Sequence, residues 1–401
     1  MTASVAPLSP TTRTPSPLAG ARARGAVTLM FAVNGLVLGG WGGSLPSLRD
    51  KLAIGDGQVA LMLFAAGIAG ITSMQVGGRL SDAVGARRIT LVALPLLLLT
   101  AAVLALAPTY PVAVAGAVLL GLGNGAMDVS MNAIGVQVEV ARRGPVMSSF
   151  HAFFSIGNLL GAAAVLGLAA GFGLSGGAVV TPLLLTLVVV GAVVLVVLAR
   201  IAPVAAPVVH RSSDGARTRV PRAAYVLGIM ALAFGLSEGT AVDWSSIHVT
   251  DVARVDTTTG AVGLVAVSGF MVVIRLLGDR LVTRFGRRAV VRFGGACAAL
   301  GYLTVTLVSP LPLLVAGWAL VGLGVGMIAP QVYAVAGHLG GGRVLAVVVT
   351  FGYASFLAGP AVVGFLVRHL GIHHAMAVPA VLCAGIVALA ATIPREDRDL
   401  A

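Results

Sequence analysis

Residues 77–88 read Gly-Gly-Arg-Leu-Ser-Asp-Ala-Val-Gly-Ala-Arg-Arg, a short charged stretch between two long apolar runs. A second charged stretch, Gly-Asp-Arg-Leu-Val-Thr-Arg-Phe-Gly-Arg-Arg, covers residues 278–288. An offset of 201 residues superposes the glycines and several arginines of the two stretches. Two equivalent loops predict that the chain consists of two equivalent halves.

The repeat extends beyond these loops. Residues 111–126 (PVAVAGAVLLGLGNGA) and 312–327 (PLLVAGWALVGLGVGM) agree at eight of sixteen positions at the same offset, and Phe150 and Phe351 keep it as well. One fixed shift across three separated segments indicates an internal duplication. We therefore predict six membrane spans followed by six more in the same orientation.

The composition places the chain in a lipid bilayer. It is 58% hydrophobic and 10% charged, with a mean hydropathy of +1.01, which is far too apolar for an ordinary soluble protein. Apolar runs of about 20 residues can each cross a hydrocarbon core of roughly 30 Å. We predict twelve such spans, at residues 25–48, 58–81, 88–107, 111–138, 146–171, 177–200, 222–248, 258–281, 289–308, 312–338, 344–367 and 373–394.

The polar segments define the predicted domain organisation. Pro, Ser, Thr and Ala dominate the first 24 residues, a composition that cannot form a core and predicts disorder. We predict a disordered cytoplasmic tail, an N-terminal six-helix bundle, a cytoplasmic linker, a C-terminal six-helix bundle and a cytoplasmic tail, at residues 1–24, 25–200, 201–221, 222–394 and 395–401. Most of the 26 Lys and Arg residues lie in the loops that this arrangement places inside. By the positive-inside rule, both termini are expected on the cytoplasmic side of the inner (plasma) membrane.

Several classes of function do not fit this pattern. The net charge of +12 sits in short loops beside the spans and is not accompanied by a basic helix or interleaved aromatic residues, so we expect no nucleic-acid binding. Cys297 and Cys383 fall inside apolar spans, where a packing role is expected. No metal-site spacing, cofactor motif or oriented nucleophile is evident, so we expect no metal, no cofactor and no enzymatic activity.

The charged stretches resemble the loop signature of major facilitator superfamily (MFS) transporters. The first copy supplies Gly78, Arg79, Asp82, Gly85, Arg87 and Arg88 between spans two and three. The second supplies Arg280, Gly286, Arg287 and Arg288, with Thr283 at the position of Asp82. The resemblance implies an all-α membrane protein, with twelve transmembrane helices in two six-helix bundles. It also implies that these loops form a gating motif, whose contacts lock the cytoplasmic side in the outward-open state.

Within that superfamily the chain is most similar to fucose-permease-like and YbjJ-like bacterial members, through residues 121–132 and 149–152. That group includes proton-driven sugar symporters with an acid in span four, which Asp128 matches. Their acid in span one is absent here, and Asn34 and Trp41 are the nearest polar candidates. Drug-proton antiporters typically carry an arginine early in span four, where this chain has Ala117.

Polar residues inside the spans are the candidates for chemistry. An ionised carboxylate in hydrocarbon costs several kcal/mol, so an acid kept there usually faces a wet cavity or a partner. Asp128 in span four and Glu238 in span seven are the clearest cases. Asn132 follows Asp128 by one helical turn and shares its face, as substrate binding or proton transfer requires. A structural interhelical pair is the alternative for both acids.

Other intramembrane residues have two open interpretations each. His151 titrates near neutral pH in water and suits a relay or gate, or it is structural. Asp243 and Trp244 follow Glu238 in span seven and line either a cavity or the membrane interface. Arg275 requires an anion, and we predict that its partner is Asp279, one turn further on.

Two transport functions and one alternative class follow from these residues. The first is movement of a small polar solute, such as a sugar, coupled to protons. The second is efflux of a drug or an amphipathic metabolite. A non-transporting membrane sensor is the third. The expected partners are a small-molecule substrate, protons and the lipid bilayer, and the chain is expected to be a monomer.

Overall fold

The computed structural model describes residues 17–142, 146–203 and 221–393, and within these ranges the chain forms helices and turns without a strand. The α-helices are α1 (Ala21–Leu52), α2 (Asp56–Val84), α3 (Ala86–Leu106), α4 (Tyr110–Arg142), α5 (Met147–Phe172), α6 (Val180–Ile201), α7 (Arg222–Ala253), α8 (Val262–Phe285), α9 (Arg287–Leu307), α10 (Leu311–Ala375) and α11 (Ala377–Leu389). The predicted all-α fold is confirmed.

The described helices lie on the predicted spans, but they give fewer candidate membrane spans than the twelve predicted. Ten of the described helical segments are long and apolar enough to cross a membrane, or eleven when one pair bent by 77° is counted as a span. Predicted spans ten and eleven both lie in α10, which has 65 residues and would measure about 98 Å at about 1.5 Å per residue. The predicted turn at residues 339–343 is helical, because glycines weaken a helix without the steric block that proline imposes.

The duplication is visible in the backbone. The bounds of α7 equal those of α1 plus 201, and the bounds of α9 equal those of α3 plus 201. Ala53 and Arg254, at the ends of α1 and α7, have φ of 51° and 54°. Gly85 and Gly286, between α2 and α3 and between α8 and α9, have φ of 90° and 77°. The glycines of the two loops therefore serve the same turn, which L-residues with a Cβ atom rarely adopt.

The predicted tails and linker lie mostly outside the described residues. Residues 1–16, 204–220 and 394–401 belong to this group, so their predicted disorder and linker role stay predictions. Residues 17–19 form a 3₁₀ turn, and α1 begins at Ala21, four residues before the predicted start of the first span at residue 25. The early start has a physical reason, since Arg22 donates a hydrogen bond to the carbonyl oxygen of Arg200 at 2.9 Å and holds α1 against the end of α6.

Glycines set the distance between α1 and α5. A Cβ atom on Gly39 would lie 2.6 Å from the carbonyl carbon of Asn158, and one on Gly161 would lie 2.5 Å from the backbone nitrogen of Gly40. Gly35 and Gly157 face backbone atoms of the opposite helix as closely. Small residues let two helix backbones approach in lipid, where packing and hydrogen bonds drive association.

Outside the spans, Asp256 orders the turn between α7 and α8. Its Oδ1 accepts hydrogen bonds from the backbone N–H groups of Thr258 and Thr259, both at 3.0 Å, and the threonine hydroxyls also donate to this carboxylate. Burial alone would raise the pKa of Asp256, but these hydrogen bonds outweigh it and lower the pKa to about 2. The turn is therefore fixed by an ionised carboxylate at neutral pH.

Candidate functional site

A cleft between the two halves of the chain contains a half-buried ion pair. Glu238 projects from α7 and Arg275 from α8, and Nη2 of Arg275 lies 3.1 Å from Oε1 of Glu238. The two side chains are 23% and 13% exposed. Both lie within candidate membrane spans, where a charge without a counter-charge would be costly. Each member of the pair therefore supplies the counter-charge that the other needs within the membrane.

Helix α5 of the first half completes this site. The guanidinium of Arg275 donates to Oγ of Ser155 at 2.6 Å and, through Nε, to the carbonyl oxygen of Gly326 at 3.4 Å. One turn beyond Ser155, Asn158 accepts a hydrogen bond from Ser268 at 2.7 Å. These two contacts connect α5 to α8, and hence one half of the chain to the other.

The space beside these groups is named here the central cleft. It has a volume of about 260 Å³ and is lined by Phe154, Ser155, Asn158, Glu238, Val242, Ser268 and Met271. Four of these side chains are polar and three are apolar, and apolar atoms contribute most of the exposed lining. A small solute in this cleft would contact hydroxyl, amide and carboxylate groups as well as apolar groups.

The sequence did not predict the partner of Arg275. The predicted partner was Asp279, whose side chain lies outside the described residues, and the structure pairs Arg275 with Glu238 and Ser155. Ser155, Asn158 and Ser268 were not predicted as site residues either. A signal existed, because Arg275 is an intramembrane charge and Glu238 is an intramembrane charge of opposite sign. The sequence does not show that α7 and α8 align these two residues.

A second cleft lies on another face of α7 and is named here the Asp243 cleft. It has a volume of about 290 Å³ between α7 and the later part of α10. Its lining consists of Gly235, Gly239, Thr240, Asp243, Trp244, Ser355, Gly359, Pro360 and Val363. Glu238 and Asp243 are five residues apart, which separates them by about 140° around the helix. The structure therefore divides the predicted candidates of α7 between two clefts.

The remaining candidates occupy different surroundings. Asn132 donates its amide N–H to the backbone oxygen of Asp128 at 2.8 Å and to Oδ1 of Asp128 at 3.2 Å, so the two share a face as predicted. His151 is exposed and makes an edge contact with the ring of Phe31 at 5.0 Å. Ser155 Oγ donates to the backbone oxygen of His151 at 3.1 Å.

Two predicted candidates in α1 and one in α7 are core residues. Asn34, Trp41 and Trp244 are 1%, 4% and 1% exposed. The burial of Trp244 argues against the alternative that it marks the membrane interface. Neither Asn34 nor Trp41 lines the central cleft or the Asp243 cleft. Oδ1 of Asn34 has no hydrogen-bond partner among the described residues.

One arginine of the predicted gating motif caps a helix. Arg87 donates to the carbonyl oxygens of Ala199 and Ala202 at 2.7 and 3.0 Å, at the end of α6. A cation there satisfies carbonyl groups that lack intrahelical partners and complements the helix dipole. The side chain of Asp82 lies outside the described residues, so its gating role stays a prediction. The other positions of the motif lie on the surface or half-buried beside it, namely Gly78, Arg79, Arg88, Arg280, Gly286, Arg287 and Arg288.

At the opposite end of the helices, Arg49 joins the two halves. Its Nη1 lies 2.6 Å from Oδ1 of Asp56 and 2.8 Å from Oδ2 of Asp251, and its Nη2 also contacts Asp251. Ser47 donates to Oγ1 of Thr257 at 3.4 Å beside it. Because Arg49 belongs to α1 and Asp251 to α7, this two-pronged ion pair holds this end of the molecule closed.

We expect an Arg49→Gln substitution to loosen this end. Hydrogen bonds to charged groups contribute about 1.5–3 kcal/mol when buried, and partial exposure reduces that value. The measurement is the maleimide labelling rate of a cysteine placed at Thr257 in purified protein whose two native cysteines are replaced by alanine. The rate is expected to rise about tenfold, since 1.4 kcal/mol corresponds to a factor of ten.

Arg368→Gln is the matched control, because Arg368 is an exposed arginine whose loss changes the net charge equally. Its labelling rate is expected to equal that of the parent protein. Equal rates for the Arg49 and Arg368 variants would show that the ion pair does not hold the two halves together.

Comparison with known proteins gives one consistent result. The sequence model of the Major Facilitator Superfamily matches residues 27–281 and 223–400. The uncharacterized transporter y4wD of Sinorhizobium fredii is 34% identical over 345 residues, which cover 84% of this chain and 89% of that protein. The membrane protein MosC of Rhizobium meliloti is 26% identical over 380 residues, which cover 92% of this chain and 89% of MosC.

Solved structures share the fold at low sequence identity. The nucleoside transporter NupG has a TM-score of 0.71 at 12% identity and covers 92% of this chain and 98% of its own. The Escherichia coli fucose:proton symporter FucP has a TM-score of 0.62 at 15% identity, with the same coverage of 92% and 98%. At these identities the likeness concerns the arrangement of helices alone.

Proposed function

Because the chain belongs to the Major Facilitator Superfamily, and is therefore a multi-pass membrane transporter, we propose that it moves a small polar solute across the inner membrane by alternating access. The solute is sugar-like in the sense that it carries several hydrogen-bonding groups. Transport is coupled to protons, and the protein works as a monomer.

The central cleft is the observation that carries this proposal. It lies where the two halves meet, which is where alternating access places a substrate site. Three uncharged polar side chains, Ser155, Asn158 and Ser268, are buried there beside the Glu238–Arg275 ion pair. Buried polar groups in a membrane are costly unless they serve a partner or a function, so their concentration in one cleft supports solute binding.

The ion pair of Arg49 supports the alternating-access part of the proposal. It closes the end of the molecule that carries the turn between α1 and α2. In the orientation predicted from Lys and Arg residues, this end is external, and the described conformation is closed to the outside. Opening requires that Arg49 leave Asp251, so the ion pair is one of the contacts that transport must make and break.

Coupling to protons is assigned to Asp128, with Glu238 as a second participant. Asp128 is half-buried on α4, and Asn132 on its own helix is the one hydrogen-bond partner found for its carboxylate among the described residues. Among those residues no arginine partner of the kind that Glu238 has is found for it. A carboxylate held in a membrane span without a cation is most easily neutralised by a proton.

We expect an Asp128→Asn substitution to uncouple transport from protons. Asparagine keeps the shape and hydrogen bonds of a protonated aspartate but cannot release a proton. Solute-driven proton uptake, measured with a pH dye in proteoliposomes, should fall at least tenfold, and the pH dependence of solute flux should disappear. An unchanged rate with unchanged pH dependence would contradict the role of Asp128.

Glu139→Gln is the matched control on the same helix. Glu139 Oε2 accepts hydrogen bonds from the N–H groups of Val146 and Met147 at 2.7 and 2.9 Å, and so caps the start of α5. Its loss costs about 1 kcal/mol of stability, as removal of a helix cap usually does. Proton coupling should remain.

Efflux of an amphipathic metabolite or drug is the second candidate. Phe154, Val242 and Met271 form the apolar part of the central cleft and favour it. A thermal-shift screen of the purified protein against sugars, amino acids, organic acids and drugs distinguishes the two, since a ligand of the folded state must raise its unfolding temperature. Stabilisation by hydrophobic drugs without any response to polar solutes would replace the first proposal by the second.

A further inference from the structure

The carboxylate of Asp243 has no partner in the part of the chain that the structure describes. No hydrogen bond, ion pair or cationic side chain is found for it there. Glu238, five residues earlier on the same helix, is paired with Arg275. The carboxylates of Glu238 and Asp243 therefore differ in their surroundings. Glu238 has a counter-charge, whereas none is found for Asp243 among the described residues.

The hydroxyl groups beside Asp243 already donate their hydrogen bonds to backbone carbonyl groups. Thr240 Oγ1 donates to the carbonyl oxygen of Leu236 at 2.7 Å, and Ser355 Oγ donates to the carbonyl oxygen of Gly352. Each hydroxyl therefore presents its remaining lone pair as an acceptor. The Asp243 cleft is lined by carboxylate and hydroxyl acceptors, and none of its described side chains except the indole of Trp244 carries a free polar hydrogen.

The two halves differ at this point. In the first half, α1 and α5 touch through Gly35, Gly39, Gly157 and Gly161. At the offset of 201 the second half has Leu236, Thr240, Ala358 and Val362, and Asp243 stands where the first half has Gly42. A Cβ atom on Gly239 would meet nothing within 4 Å, so there is open space beside α7 at this level.

The cleft has room for an ammonium group. Its 290 Å³ include open solvent, and the space left for the centres of water-sized groups is about 30 Å³, enough for about two water molecules. An ammonium group carries three N–H donors, which match one carboxylate and the neighbouring hydroxyl lone pairs, while the organic body of the ligand lies outside this space.

We propose that the Asp243 cleft binds the protonated amine of the transported solute, with Asp243 as its counter-ion. This inference rests on the proposed transport function and specifies the substrate class as an amine-bearing solute. In this assignment Asp243 selects for positive charge. The amine and the transport proton thus have separate carboxylates on α7 and α4.

The test compares probes that differ in one group. Purified full-length protein is titrated with glucosamine, glucose and glucuronate, and with tyramine, 4-methylphenol and 4-hydroxyphenylacetate, while its unfolding temperature is followed. At least one amine is expected to stabilise the protein, with neutral and acidic counterparts binding at least tenfold more weakly. Asp243→Asn should remove this difference. Absence of stabilisation by both amines up to about 50 mM would overturn the proposal.

Two further variants separate the possible failures. Gly239→Leu fills the open part of the cleft and should weaken amine binding at least tenfold while Asp243 stays in place. Asp128→Asn should bind the amine normally, even where proton coupling is lost. Amine binding that survives Asp243→Asn overturns the inference and leaves the transport proposal standing. Normal amine binding with no flux in proteoliposomes would contradict the transport proposal and leave the amine site standing.

The same titration includes sodium as an alternative occupant. Replacing sodium chloride with potassium chloride should leave the unfolding temperature of the ligand-free protein unchanged. A sodium-dependent stabilisation that Asp243→Asn abolishes would show that the cleft binds an inorganic ion, and would overturn the assignment to an amine.

Discussion

A Glu238→Ala variant is expected to lose both transport and about 3–5 kcal/mol of folding stability, because it leaves the Arg275 guanidinium inside a membrane span without its counter-charge. Arg275 is only 13% exposed, so water can replace the carboxylate only in part. Folded proteins are stable by about 5–15 kcal/mol, so a loss of this size is a large part of the total. The midpoint of unfolding in detergent measures it.

Removing both charges should restore folding without restoring function. A buried ion pair replaced as a unit is often neutral for stability, because its attraction barely exceeds the cost of dehydrating the two ions. The double variant Glu238→Gln with Arg275→Gln is therefore expected to unfold within about 1 kcal/mol of the parent. Transport should remain at least tenfold reduced, since solute exchange in the central cleft requires the charges. Normal transport by this double variant would show that the pair is only structural.

Arg275→Lys provides a control with the charge retained. The guanidinium donates to Glu238, Ser155 and the backbone of Gly326 at once. An ammonium group is a compact point charge and cannot reproduce this planar arrangement. We expect a weaker contact between α8 and α5. The unfolding temperature should fall by less than half as much as it does in Glu238→Ala.

The local features of the fold were predictable from the sequence. Hydropathy placed most of the predicted spans on helices of their own, because the length of an apolar run is set by membrane thickness, but predicted spans ten and eleven share α10. The offset of 201 residues predicted the equivalence of two turns, and Gly85 and Gly286 adopt the same positive φ. These signals depend on short stretches of sequence, so they can be recognised without knowledge of tertiary contacts.

The pairing of side chains across helices was not predictable in this way. Asp279 seemed the nearest partner of Arg275 because it is one turn away along the chain. Among the described side chains its acidic partner is Glu238, 37 positions distant, because α7 and α8 pack with these two levels aligned, whereas the side chain of Asp279 lies outside the described residues. Periodicity shows which residues share a face of a helix, but not how far neighbouring helices are shifted along their axes. The sequence alone therefore could not predict that the candidate residues of α7 line two different clefts.

A substitution at the contact between α1 and α5 is also expected to have a large effect on stability. We expect Gly161→Ala to prevent proper folding, because the added Cβ atom would lie 2.5 Å from the backbone nitrogen of Gly40 and would overlap the carbonyl oxygen of Leu36. Backbone atoms cannot rotate away as side chains can, so the two helices must separate. Overpacking of this kind costs at least about 1–3 kcal/mol. Measured in detergent, the unfolding midpoint should fall by several degrees or the protein should aggregate.

Gly167→Ala on the same helix is the matched control, since its Cβ atom would meet nothing within 4 Å. Alanine is favoured over glycine in a helix by about 1 kcal/mol, so this variant should be slightly more stable than the parent. The two substitutions therefore have opposite expected signs for the same chemical change. Because Ser155 and Asn158 project from α5 between these contacts, any separation of α1 and α5 displaces the polar wall of the central cleft. Solute binding should then fail in Gly161→Ala protein even under conditions that keep it folded, whereas binding unchanged from that of Gly167→Ala would show that the glycine contact does not position the site.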